Sequence, residues 1–299
     1  MKKIGGLLCF IMLLCTGVSA APAGMNSVPT DIRVIMHGAQ IPAACVNNSM
    51  YIAAEDLAHY GYAVTYKDEV RTLFVSKVSE NTPPEPLGGN IPITGTLETD
   101  IGVYLNGEQV NKNDTFAYGG KMYLNVSAIA RYRDGKNHSD PGNVGYPHLL
   151  TSKWDGENRI LYVENSPLLP KDEQRARLMS YGGNNSQAYS FLSFTETSYP
   201  GEGFEVLQLH VGGLPHGSNA FWYYINDDGR FYSINSVTAP YAFRDYWGAC
   251  EIRNARVEGK RLYFEAHRML SREPVIKTVY GEYYLDLDTT VVNIIDEKE

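Results

Sequence analysis

The sequence predicts an α+β fold: two small strand–helix–hairpin modules in tandem, followed by a mostly antiparallel β domain of sandwich or barrel-like form. Three observations predict it. A short pattern recurs at a constant offset of 72 residues, from Met50 to Met122. A Pro/Gly-rich stretch separates the two copies. The last third of the chain reads as apolar runs divided by turn residues.

The first element is a leader. Lys2 and Lys3 precede an apolar run from Ile4 to Val18, and Val18-Ser19-Ala20 fits the small-residue cleavage rule. Residues 1–20 are therefore expected to be removed, with a cut before Ala21. The run is short for a membrane span of about 20 residues, so no integral membrane segment is expected in the mature chain. The mature protein is expected to be secreted or cell-wall associated. The net charge of −8 makes nucleic acid a poor partner, because phosphate contacts need clustered Lys and Arg.

The first module is expected over 31–77. Ile32–Ile41 alternates apolar and polar residues about His37-Gly38, as a tight hairpin does. Asn48–Ile52 then enters a helical stretch, Ala53–Tyr60, whose Ala54, Leu57 and Ala58 share one face. Gly61 is placed to end it. Val64–Tyr66 and Thr72–Val75 close the module as a hairpin.

Residues 78–99, with Pro83-Pro84, Pro86 and Gly88-Gly89, read as a linker. The second module is expected over 100–164. Ile101–Val110 repeats the hairpin about Asn106-Gly107. Met122, Tyr123, Ala130 and Tyr132 repeat Met50, Tyr51, Ala58 and Tyr60, and Ile129 meets Leu57. Trp154–Val163 repeats the closing hairpin. An insertion at 133–152 makes this copy longer.

These ordered motifs resemble the copper amine oxidase N-terminal-like "stalk" domain, a module of exported bacterial proteins. The resemblance implies a non-catalytic spacer or interaction platform at the cell envelope. It departs at the helix entrance, where the usual proline is replaced by Ala53 and Asn125. The family name does not bring the oxidase chemistry with it. The seven histidines include no His-x-His pair, and no Asn-Tyr dipeptide is present to supply a quinone precursor. No cofactor and no metal is expected.

The C-terminal domain is expected over 171–296. A polar helix is placed at Lys171–Ser180. Strands are placed at Phe204–Val211, Ala220–Ile225, Phe231–Val237, Cys250–Val257, Arg261–Ala266, Val275–Val279 and Tyr283–Leu287. Asn226–Gly229 and Glu258-Gly259 are turn signals.

His138, Asp140 and His148 are metal-ligating types, but their spacing matches no metal motif. His210, His216 and His267, with Glu265 and Asp245, could build a general base if they converged. Cys250 is either a nucleophile or a packed thiol, and it either pairs with Cys45 or does not. Acidic turns at Asp227-Asp228 and Asp286-x-Asp288 lack a full set of calcium ligands. No catalytic residue is assigned.

The aromatic run Phe221–Tyr224 is the most suggestive feature. Successive strand residues alternate faces, so half of it either packs a second layer or lines a groove. The binding residues expected are Trp222, Tyr224, Tyr246 and Trp247. Their partner would be a glycan, a peptide or another envelope component. The competing expectation is a secreted hydrolase of envelope material with its active site in the same domain.

Overall fold

A computed structural model describes residues 24–78, 84–132, 150–165, 170–173, 175–176, 193–214, 217–227, 231–243, 252–271 and 277–298, with backbone alone at 131–132, 193–194, 211–214, 217–219 and 271. The protein is mostly β: the described residues form five sheets and helices of only one or two turns. The expected α+β balance is corrected by the reach of the strands. The first half opens with β1 (Arg33–Met36) and β2 (Ala39–Ile41), then β3 (Ala43–Val46) and β4 (Ser49–Ala53). β4 runs through Ala53 into what was expected to be helix, leaving only a 3-10 helix at Glu55–Tyr60. Gly61 ends it at φ 86, its N–H bonded to the Leu57 carbonyl. β5 (Tyr62–Lys67) and β6 (Thr72–Lys77) complete this half.

The second half repeats the order. It contains β7 (Gly102–Leu105), β8 (Glu108–Gln109), β9 (Thr115–Tyr118), β10 (Lys121–Asn125), β11 (Arg131–Tyr132), β12 (Leu150–Asp155) and β13 (Ile160–Asn165). Its helix is the single turn Val126–Ile129. The Asn125 side chain caps it by accepting from the Ser127 N–H, and Ala130 returns to extended backbone. Four two-residue turns, His37-Gly38, Asn47-Asn48, Asn106-Gly107 and Gly119-Gly120, have positive φ at both positions. That is the type I′ turn, whose twist matches the flanking strands.

The halves do not stand apart as tandem modules. They exchange strands. β6 of the first half pairs in parallel with β7 of the second, and β13 of the second pairs in parallel with β1 of the first. The registers correspond residue for residue: Leu73 meets Val103 and Val75 meets Leu105, as Leu161 meets Val34 and Val163 meets Met36. At the centre, β4 and β10 run antiparallel with Ile52 opposite its own counterpart Leu124. A pseudo-twofold axis passes there. The sheets are β5-β6-β7-β8, β11-β12-β13-β1-β2 and the central β3-β4-β10-β9. One core, including Val34, Met36, Ile52, Leu57, Val103 and Leu124, draws on both halves.

The stretch expected as a linker is structural where it is described. Ile93 is buried with Tyr51, Phe116 and Tyr123 on the second face of the central sheet. The Ile91 N–H bonds the Ala43 carbonyl, and the Ser27 N–H bonds the Ile93 carbonyl. Cys45 is a buried free thiol, and burial raises its pKa. Cys250 lies outside the described residues.

The C-terminal unit is a sandwich of two antiparallel four-stranded sheets. The first contains β14 (Ser193–Gly201), β15 (Phe204–Leu214), β16 (Gly217–Asn226) and β17 (Phe231–Ser233). The second contains β18 (Arg253–Glu258), β19 (Arg261–Ser271), β20 (Lys277–Asp286) and β21 (Val291–Lys298). The strand expected over Phe231–Val237 stops at Ser233, whose side chain caps the helix Ile234–Thr238. The last two expected strands fuse into β20, and β14 and β21 are additional. The helix expected at Lys171–Ser180 is described only at 171–173 and 175–176, which are helical.

Val206, Trp222 and Tyr224 from the first sheet meet Leu262, Phe264 and Tyr283 from the second in one core. Phe74 and Tyr104 join that core from the outer face of β5-β6-β7-β8, and the rings of Phe74 and Tyr241 lie 6.2 Å apart. Ser76 Oγ donates to the Thr289 carbonyl at 2.9 Å, and Lys67 Nζ to Asn293 Oδ1 at 3.1 Å. This sheet is therefore covered on both faces, which explains the unbroken burial of Thr72–Ser76.

At the rim of the sandwich, Arg268 grips Glu297 with two bonds of 2.6 and 2.7 Å, and Tyr283 Oη donates to the same carboxylate. The pair is 15% and 21% exposed. The Arg268 guanidinium, bonded to Glu297, holds its carboxyl below the ordinary value.

Two predictions follow from this packing. Gly38 and Gly107 are pseudo-equivalent, at φ +87 and +89. A Cβ on Gly38 would meet open space, whereas one on Gly107 would lie 2.7 Å from Tyr232 Cβ. Gly38→Ala is expected to cost about 1 kcal/mol from backbone strain alone. Gly107→Ala should cost a further ~1–3 kcal/mol from the clash. Urea denaturation measures both, and equal losses would refute the docking contact. For Glu297, the lowered carboxyl stabilises the fold above its unfolded pKa. That contribution disappears as pH falls through the folded value. Glu297→Gln should therefore lower stability near pH 7 and flatten the acid limb of the stability–pH curve, read by denaturation midpoints across that range.

Candidate functional site

Strand alternation divides β19 and β20 into two faces. Leu262, Phe264 and Ala266 point inward with Tyr283 and Leu285. Tyr263, Glu265 and His267 point the other way, opposite Tyr284, Glu282 and Tyr280 in register. The outer face of this sheet therefore carries two cross-strand ring pairs. The Tyr263 and Tyr284 centroids are 5.6 Å apart, and those of His267 and Tyr280 are 4.9 Å apart. Tyr280 is 37% exposed, and the other three rings are half-buried.

Charged groups frame the rings. The Arg256 guanidinium lies 4.7 Å from the Tyr263 ring centre, and that of Arg261 lies 4.8 Å from Tyr284. These are cation–π contacts. Arg256 also bonds Glu258 at 2.8 Å. Tyr280 Oη donates to Glu265, and Asn254 Nδ2 donates to the same carboxylate at 2.7 Å. Those two bonds, the tyrosine's first, hold the Glu265 carboxyl below its ordinary range. The bonds also fix the rings and the carboxylate relative to one another. Such a face offers apolar ring surface for stacking and polar groups for hydrogen bonding at its edge.

The expected binding residues lie elsewhere. Trp222 is 1% and Tyr224 0% exposed, so neither can line a groove. Tyr224 pairs in register with Val206 and packs 4.9 Å from Tyr232 and 5.6 Å from Phe204, while Trp222 packs 5.5 Å from Tyr199. The outward half of this run is Phe221 and Tyr223. Tyr223 is nearly buried against Phe231, and Phe221 is exposed. Tyr246 and Trp247 lie outside the described residues.

Of the candidate histidines, His267 stands on the outer aromatic face, and His210 sits on β15 between Thr195 and Ala220. His138, His148 and His216, with Asp140, Asp228, Asp245 and Cys250, lie outside the described residues. Asp286 accepts from the Asp288 and Thr289 N–H groups and the Thr289 hydroxyl, so its carboxylate closes its own turn. Asp227 accepts from Lys171 Nζ at 2.9 Å. Among the described residues, no group of three His, Cys, Asp or Glu converges to hold a metal ion. No helix among them is long and apolar enough to cross a membrane. The alternation Tyr263-x-Glu265-x-His267 and Tyr280-x-Glu282-x-Tyr284 is present in the sequence, but the expected strands Arg261–Ala266, Val275–Val279 and Tyr283–Leu287 leave out His267, Tyr280 and Glu282.

Compared with protein-family models, with curated proteins and with solved structures, the chain finds no match in any of the three.

Proposed function

We propose that this is an exported, non-catalytic binding protein. Its interlocked halves serve as a rigid spacer, and the outer face of its C-terminal sheet binds a glycan of the cell envelope. The observation that carries the reading is the row of Tyr263, Tyr284, His267 and Tyr280 on an open sheet face. Aromatic rings left partly exposed by a well-packed β domain mark a surface that meets something else. Pyranose rings present flat C–H faces that stack on aromatic rings, and their hydroxyls suit the Glu265, Asn254 and Arg256 edge. The leader and the stalk-domain resemblance support the location and the spacer role. The halves are occupied with each other: their apolar residues close one core.

Sedimentation of the mature protein with purified peptidoglycan sacculi, and in parallel with chitin, tests this reading. Tyr263→Ala combined with Tyr284→Ala should weaken sedimentation at least about tenfold, each ring contributing ~0.5–1.5 kcal/mol beyond its area. The thermal midpoint of the variant should stay close to that of the parent, since the rings stand outside the core. Unchanged sedimentation with both rings removed would defeat the proposal. Release of soluble sugar from the pelleted sacculi would favour the hydrolase instead.

A further inference from the structure

The two halves superimpose in register but not in packing, and the difference is a cavity. In the first half, the Tyr62 ring lies against the β1–β2 turn. Met36, Ile41, Leu57 and Tyr62 are all buried, and the Tyr62 ring stacks on His37 at 6.2 Å. The counterparts in the second half are Leu105, Val110, Ile129 and Leu150, with Asn106 in place of His37. Position for position, β5 begins at Tyr62 opposite Lys77, and β12 begins at Leu150 opposite Asn165. Leucine there removes the ring and hydroxyl that Tyr62 supplies in the first half.

What results is a cavity of about 230 Å³, with apolar lining from Leu105, Val110, Ile129, Leu150 and Phe231 of the C-terminal sandwich, and polar lining from Asn106, Gln109 and Asn111. A second exchange accompanies the first. Ala39 of the first half is replaced by Glu108, which lines the cavity. Glu108 makes no hydrogen bond or ion pair with any described residue. Asp114 adds another carboxyl, which accepts from Asn125 Nδ2 at 3.2 Å. The described lining contains no basic side chain.

A carboxylate in a half-apolar cavity, without a basic partner among the described residues, lacks a counter-charge there. We propose that it is a binding site for a small organic cation: a primary ammonium or guanidinium group paired with Glu108, carried on a short apolar body that fills the space beside Leu150 and Phe231. The volume is below the ~300–1,000 Å³ of sites for drug-sized ligands, which restricts the ligand to a short chain or a single small ring. Burial lifts the Glu108 carboxyl to about 7. Cation binding favours the ionised form, so affinity should rise as pH increases through that value. Among the described residues, the other titratable group in the lining is Asp114, and Tyr104 stands on β7 opposite Gln109. The helix Ile234–Thr238, which packs on β8, has none.

The test is titration of the mature protein with n-pentylammonium, with 1-pentanol and pentanoate as neutral and anionic controls, followed by calorimetry or by shifts of the cavity methyl resonances. Saturable binding of pentylammonium, stronger than either control, is the expected result. Leu150→Tyr, which restores the first-half occupant, should abolish it. Glu108→Gln should weaken pentylammonium at least about tenfold and leave 1-pentanol unchanged. Should Leu150→Tyr fail to fold, the near-isosteric Glu108→Gln decides alone. The proposal is overturned by absence of saturable binding up to about 10 mM, a limit corresponding to only a few kcal/mol. It is equally overturned if 1-pentanol binds as tightly as pentylammonium, or if Glu108→Gln changes nothing.

Discussion

The strand exchange between the two halves is the constraint on which the rest of the structure depends. A lone half would leave β1 and β6, or β7 and β13, as unpaired edges beside an open apolar face. Exposed edges of that kind invite pairing with any available strand. Here each is paired by the other half of the same chain. The antiparallel meeting of Ile52 and Leu124 fixes the axis, and the two parallel pairings then occur in matching register. Because one core crosses the axis, stability is not divisible between the halves. A cavity in either is felt by both.

The C-terminal sandwich breaks this symmetry. It covers the outer face of β5-β6-β7-β8, burying Phe74 and Tyr104. Their counterparts, Tyr162 and Ile35, remain half-exposed on the twin sheet. A single repeated surface thus has two fates, and its side chains differ accordingly: two large aromatic groups where a second core had to be filled, one aromatic and one aliphatic where it did not. Gly107 records the same asymmetry in the backbone. Its turn is pressed against Tyr232, whereas that of Gly38 faces open space.

Much of this was legible locally. Hairpin turns, strand alternation and the repeat are properties of neighbouring residues, and His37-Gly38 and Asn106-Gly107 adopt the turn that their sequence demands. What could not be read was pairing across distance. Thr72–Val75 has the same apolar pattern whether it closes a private module or joins β7, so tandem and interlocked arrangements look identical in one dimension. The helix after Ala53 carried helical spacing, but Ala53 is claimed by pairing with Tyr123, and tertiary context overrides weak propensity. The aromatic run Phe221–Tyr224 showed its alternation plainly. Which half faced inward depended on the register with β15, which the sequence does not disclose. The ring pairs of β19 and β20 were hidden for the opposite reason: each tyrosine is unremarkable in its own strand, and only cross-strand register brings Tyr263 to Tyr284.

Duplication supplies an internal control that a single-copy fold lacks. Wherever the two halves agree, as at Ile52 and Leu124 or at Val34 and Val103, the side chain is accounted for by packing about the axis. Wherever they disagree without loss of register, something other than the shared framework must explain the difference. For Phe74 and Tyr104 the explanation is the docked sandwich. For Leu150 and Glu108 the described residues offer no packing explanation, since a leucine stands where Tyr62 does in the first half and a carboxylate side chain joins the lining of the space. Leaving a cavity unfilled and a half-buried charge without a partner both act against folding. Two such costs meeting at one place, beside the only interface that distinguishes the halves among the described residues, are better explained by a ligand than by drift.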